Sequence, residues 1–79
     1  MDADLTVNAS GTWCPVPIIE ISKAMRRLAA GGVVLLLATD PAVERDLRHW
    51  CTSTGNELLS FESKSGVFRA YVRKPTSSP

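Results

Sequence analysis

The run "GTWCPVPIIE", residues 11–20, places a thiol where its chemistry is usable. Cys14 precedes Pro15, and Pro17 follows two residues later. A residue before proline is pushed toward extended backbone, which holds Cys14 outside the helix that the apolar run begins. Val16, before Pro17, carries the same bias. The helix therefore starts either at Pro15 or at Pro17, after a stiff Cys-Pro-Val turn. Either start projects the thiol from a helix N-terminus, whose positive end favours an anion by about 0.3–1 kcal/mol. At about 1.4 kcal/mol per pH unit, a free-thiol pKa near ~8.5 falls by roughly one unit. Pro15 and Pro17 have no N–H and leave Val16 and Ile18 as first-turn donors, so the expected activation is mild. A mildly activated thiol suits exchange chemistry, which runs best with a pKa near ambient pH. The competing reading is a small core residue, as free cysteines often are. A Gly-Thr-Trp loop on one side and a proline pair on the other make poor core filling.

The elements that position this thiol follow from periodicity. "DLTVNA" alternates, with Leu5 and Val7 on one side, and predicts a first strand. From Pro15 to Ala30, Ile18, Ile21, Met25 and Leu28 recur at helical steps and predict a helix that Gly31-Gly32 ends with a left-handed cap. "VVLLLAT" reads as a strand buried on both faces. "DPAVERDLRHWC" predicts a second helix, with Asp40 as N-cap, Pro41 in the first turn and an apolar stripe of Val43, Leu47, Trp50 and Cys51. "ELLSFES" and "VFRAYVRK", joined by "KSG", predict a hairpin. The order β-α-β-α-β-β gives an α+β two-layer sandwich: a mixed four-stranded sheet with two helices on one face. Residues 1–79 read as one domain, with an ordered core of about 4–74 and a flexible tail at 75–79. If the first two strands run parallel, Cys14-Pro15 and Asp40-Pro41 open at the same sheet edge. Cys14 and Asp40 are then neighbours, and the carboxylate raises the thiol pKa.

Composition narrows the function classes. Seventy-nine residues with 44% hydrophobic and 22% charged side chains describe an ordinary globular domain. A net charge of +1 gives no support to nucleic-acid binding. No apolar run is long enough to span a bilayer. The start "MDADLTV" lacks the pattern of a signal peptide, so a reducing cytoplasm is the default. There, a structural Cys14–Cys51 disulfide is not expected. Cys14, Cys51 and His49 lack the number and spacing of zinc ligands. Cys51 reads as core, with a resolving thiol as the minor alternative, and His49 reads as surface.

"CPVP" opening a helix, Gly11 three positions before the cysteine, "TDPAVERDL" and "WCTSTGNELL" together resemble the TusA (SirA-like) family of small bacterial sulfur carriers. The likeness runs from about Leu5 to Lys74. Gly11, Cys14, Pro15, Pro17, Lys23, Asp40, Pro41, Asp46, Gly55 and Glu57 match the family pattern. Asn8, Thr12 and Asn56 depart from it, outside the cysteine motif. The resemblance implies a βαβαββ sandwich and a sulfurtransferase-type carrier that holds sulfane sulfur as a persulfide on Cys14. Its donor would be a cysteine desulfurase or a rhodanese-like protein, and a second protein would accept the sulfur. The family's routes include tRNA thiolation, molybdenum-cofactor biosynthesis and sulfur oxidation. No cofactor, metal, membrane or direct nucleic-acid partner is implied, and a free monomer is expected.

Within that picture Asp40 is an N-cap with a possible supporting role at the thiol, while Gly11, Pro15, Pro17, Pro41 and Asp46 are structural. Trp13 either docks a partner or shields the loop. Lys23, Arg26 and Arg45 are solvated helix positions that around such a corner also offer a docking patch for an acidic partner. The rival function is a regulatory or binding module of the same fold, touching RNA through Arg69, Tyr71, Arg73 and Lys74 on an uncovered sheet face.

Overall fold

The apolar run "VVLLLA" becomes the strand around which everything else is arranged. In the computed structural model, which describes residues 2–75, β1 is Leu5–Ala9, α1 Val16–Arg26, β2 Val33–Ala38, α2 Val43–Thr54, β3 Glu57–Lys64 and β4 Val67–Arg73. The sheet order is β1-β2-β4-β3. β1 and β2 are parallel, with Leu5 beside Val34 and Ala9 beside Ala38. β4 runs antiparallel to β2 and to β3. A register shift between Leu58 and Ser60 interrupts the β3–β4 ladder. Parallel β1 and β2 require a crossover, and α1 supplies it.

Alternation along the strands sends Val34, Leu36 and Ala38 of β2 and Ala70 and Val72 of β4 to one face. Ile21, Ala24 and Met25 of α1 and Val43, Leu47 and Cys51 of α2 close over them. Both helices thus lie on one face, as the periodicity predicts. Ile21, Val34, Leu47 and Val72 are fully enclosed. Each fully buried side chain of this kind stabilises the fold by about 1.5–3 kcal/mol. The opposite face carries Leu35, Leu37 and Val33 beside Tyr71, Arg69 and Arg73.

The helix ends differ from the sequence expectation. α1 stops at Arg26, four residues before Ala30, and tightens into i→i+3 bonds from Arg27 N–H to Ala24 O and Leu28 N–H to Met25 O. Carbonyls at and just after this end are also bonded by Lys74, whose Nζ donates to Met25 O at 3.0 Å and Leu28 O at 2.7 Å. A cation there also suits the negative end of the helix. Gly31 does adopt a positive φ, but in the following loop, where its N–H donates to Lys74 O. α2 begins at Val43, not at Pro41, because Asp40 folds residues 40–42 into a turn first. It ends on Gly55, whose φ of 81° is the left-handed cap and whose N–H donates to Cys51 O. The hairpin turn is Ser65-Gly66, both at positive φ. The expected tail falls, apart from half-buried Pro75, outside the described residues.

Candidate functional site

Parallel β1 and β2 deliver two loops to the same end of the sheet, and hydrogen bonds join them there. After β1, Ala9 O accepts Thr12 N–H at 3.2 Å and the Thr12 hydroxyl at 2.6 Å. Gly11 takes a φ of 79°, a conformation that a side chain would oppose, and its N–H donates to Thr39 Oγ1 at 2.8 Å. The chain then passes Trp13 and Cys14 and enters α1. The Cys14–Pro15 peptide is cis. Pro15 occupies the N-cap position and Pro17 lies within the first turn. Prolines fit there because the first N–H groups of a helix have no partner inside it. The start at Val16 falls between the two starts that the sequence allows. Pro17 is also fully buried, which anchors the turn to the core.

Asp40, at the end of β2, is the second half of the site. It is 6% exposed and the one buried charged side chain among the described residues. Its Oδ2 accepts Cys14 N–H at 2.7 Å, and its Oδ1 accepts Ala42 N–H at 3.0 Å. The carboxylate thus makes an Asx-type turn and ties the cysteine loop to the start of α2. It makes no side-chain bond as helix N-cap, which the sequence assigned to it. Charge-assisted bonds to both oxygens offset the desolvation of a buried carboxylate.

Cys14 itself is exposed and unpaired, so the core-filling alternative does not hold. Its thiol pKa is raised, which reverses the expected mild activation. The leading cause is the neighbouring Asp46 carboxylate, which favours the protonated thiol; partial desolvation and the negative charges of Asp46 and Asp40 add to it, and Arg45 opposes them. Among the side-chain hydrogen bonds of the described residues, the one that reaches Cys14 joins its backbone N–H to Asp40 Oδ2. The helix contributes less than the sequence suggests because Val16 N–H is already spent on Trp13 O at 2.9 Å. Asp46 is therefore part of the thiol's surroundings and more than a motif residue. The sequence singled Asp46 out only as a match to the family pattern.

The large exposed hydrophobic side chains cluster around the same corner. Trp13 is 67% exposed, Ile19 46% and Val16 38%. Trp13 thus projects into solvent instead of folding back over its loop. Beside it a shallow groove of about 300 Å³ runs along α1 between Pro15, Ile18, Ile19 and Ser22, with Lys23 and Arg26 at its far end. Lys23 is half engaged by Glu20 at 3.5 Å. Arg45 lies on α2 with its Nε 4.0 Å from Asp46 Oδ1, and Pro41 is an exposed turn residue. Cys51 is buried under α2, its pKa pushed up to about 11 by loss of solvent. His49 is exposed on α2. Among the described residues, no group of three or more His, Cys, Asp or Glu is placed to hold a metal. None of their helices is long and apolar enough to cross a membrane.

This two-layer arrangement is the one found in a SirA-like protein from Desulfitobacterium hafniense. The two structures superpose with a TM-score of 0.80 at 29% sequence identity, over 90% of this chain and 97% of that one. Residues 5–74 match the family model described as sulfurtransferase TusA, and the chain belongs to that family. Among its relatives, the sulfur carrier protein TusA of Pseudomonas entomophila is 41% identical over 90% of this chain and 89% of its own length. A putative sulfur carrier protein of Aquifex aeolicus is 37% identical over 95% of this chain, which spans 38% of that longer protein.

Proposed function

We propose that this protein is a sulfur carrier that accepts sulfane sulfur on Cys14 as a persulfide and passes it to a partner protein. The observation that carries the reading is an exposed, unpaired thiol on a turn fixed by a buried carboxylate, at the corner where Cys-Pro-X-Pro opens α1. The names of the relatives support the carrier role. Loading transfers one sulfur atom. Cys14 Sγ attacks the outer sulfur of a donor persulfide, the donor S–S bond breaks, and the donor cysteine leaves as thiolate. Discharge is the same step with Cys14 as the leaving group. Because the protein offers an open corner instead of an enclosed pocket, turnover runs through its partners, and a reducing compartment keeps Cys14 available between cycles.

Partner docking falls to the apolar rim of Trp13, Val16 and Ile19, with Lys23, Arg26 and Arg45 favouring partners that are acidic around their own reactive group. Asp40 supports the site by fixing the Cys14 backbone. The RNA-binding alternative is not favoured. Arg69, Tyr71 and Arg73 do line the uncovered sheet face, but Glu57 pairs with Arg73 and Glu62 lies across from Arg69. That face is charge-balanced and lacks the positive surplus that a nucleic acid needs.

The test is a reconstituted relay with a purified cysteine desulfurase and sulfur-labelled cysteine. The label is expected on the wild-type chain, released by a reducing thiol and absent from Cys14→Ser. Unchanged labelling of Cys14→Ser would contradict the reading.

A further inference from the structure

The two edges of the sheet are built differently. β3 forms one edge and β1 the other. A strand edge offers backbone N–H and C=O groups to any extended chain that meets it, and proteins blunt such edges with charges or bulges. β3 carries both devices: Glu57, Glu62 and Lys64, and the register shift between Leu58 and Ser60. β1 carries neither. It is regular against β2 and contains no charge and no proline, and shortness is its one protection. Beside it lies a cleft of about 350 Å³, lined by Thr6, Val7 and Asn8 on one side and by Glu20, Lys23 and Arg27 on the other. Successive strand residues point to opposite faces, so a cleft that touches all three of Thr6, Val7 and Asn8 lies at the strand's edge. Its charge is positive. Lys23 is half engaged by Glu20 at 3.5 Å, and among the described residues Arg27 forms no ion pair with a carboxylate.

We propose that β1 is a docking edge for an extended, acidic segment of a partner protein, which adds to the sheet as a further strand. Main-chain hydrogen bonds supply the pairing, and alternate side chains supply the selection. On the helix side of the added strand every second side chain faces the cleft, where a carboxylate meets Arg27 and Lys23. On the other side, exposed Thr6 and Asn8 suit small hydrogen-bonding neighbours such as threonine. A second copy of this chain fits less well: its own β1 brings no carboxylate, and its β3 is bulged. The edge also has a bearing on the thiol. β1 leads directly into the loop that carries Cys14, so a strand paired along it runs toward the same corner. Use of this edge in sulfur transfer rests on the carrier reading, whereas the edge and its charge stand on the topology alone.

The experiment uses the full chain and a synthetic peptide that alternates threonine with glutamate. A terminal cysteine and a glycine linker join the peptide to Cys14 as a mixed disulfide, which raises its effective concentration to roughly millimolar. The readout is amide hydrogen exchange. Residues 5–9 should exchange roughly tenfold more slowly than in protein carrying the linker alone, with residues 57–64 unchanged. The protection should fall at high salt, with lysine in place of glutamate in the peptide, and in the double variant Lys23→Gln, Arg27→Gln. A peptide N-methylated throughout, which has no backbone donors, should give none. Unprotected β1 amides, protection of β3 instead, or equal protection by the lysine or the methylated peptide would overturn the proposal. The peptide series decides on the wild-type chain if the double variant does not fold. The tether is an ordinary disulfide and needs no sulfane sulfur, so failure of sulfur loading alongside protected β1 amides would count against the carrier function and leave the docking edge standing.

Discussion

The backbone N–H of Cys14 donates to the Asp40 carboxylate at 2.7 Å, across twenty-six residues of sequence. This one bond turns two separate strand-to-helix loops into a single corner. The carboxylate is buried and spends its other oxygen on Ala42 N–H, so it is part of the frame and not a solvent-facing charge.

Replacing Asp40 with Asn keeps the size but turns an amide N–H toward one of the two backbone donors. Leaving a buried donor unsatisfied costs about 1–3 kcal/mol. Asp40→Asn should therefore lower the denaturation midpoint and slow sulfur loading of Cys14, because the loop is no longer fixed. Chemical denaturation paired with a loading assay checks both. An unchanged midpoint would show that the clamp contributes little.

The apolar rim and its cations are assigned to docking, so their loss should separate two activities. Ile19→Glu, or Lys23→Glu with Arg26→Glu, should weaken loading by a donor protein and reduce its salt dependence. Loading by a small persulfide should be unaffected, since that reaction needs only the exposed thiol. Kinetics with the two kinds of donor make the comparison, and equal losses in both would place these residues in the fold instead of the interface.

Cys51 gives a pH signature of stability. Its ordinary thiol pKa of 9.0 is raised to about 11 in the folded protein by burial. A raised folded-state pKa means that the unfolded chain gives up its proton first as pH rises. The contribution is therefore fully present below pH 9 and is lost between about pH 9 and about pH 11. Urea midpoints measured across that window should fall more steeply for the wild type than for Cys51→Ala. Parallel slopes would show that the thiol is more hydrated than its place under α2 implies.

Much of this arrangement was legible in the sequence because it rests on patterns with one physical meaning. Period-two alternation in "DLTVNA" and "VFRAYVRK", helical spacing from Ile18 to Leu28, and the paired X-Pro helix starts point to one sheet with two helices on one face and to Cys14 beside Asp40. What stayed hidden depends on contacts distant in sequence. Lys74 ends α1 from the far side of the chain, so local glycines were the wrong guide. Asp40 turns the chain before α2 through Ala42 N–H on one oxygen while its other oxygen holds Cys14 N–H from the distant loop. The sign of the Cys14 shift was missed because helix polarity is visible locally, whereas the nearness of Asp46 and the use of Val16 N–H by Trp13 emerge only in three dimensions.

The role of Lys74 can be tested by Lys74→Met, which keeps the aliphatic stem and removes the donor. Hydrogen bonds from charged groups contribute about 1.5–3 kcal/mol, and Met25 O and Leu28 O would lose this one. The variant should be less stable by an amount of that order, with faster amide exchange confined at first to the last turn of α1. Exchange that rises evenly across the sheet would argue against a local cap.

The most direct measurement is the intact mass of the native, reduced protein after exposure to a persulfide donor, followed by mapping of the modified peptide. The expected result is the gain of one sulfur atom on Cys14, removable by a reducing thiol and undiminished in Cys51→Ser. A protein that gains nothing while its thiol still reacts with alkylating reagents, or one that gains sulfur on Cys51, would contradict the account.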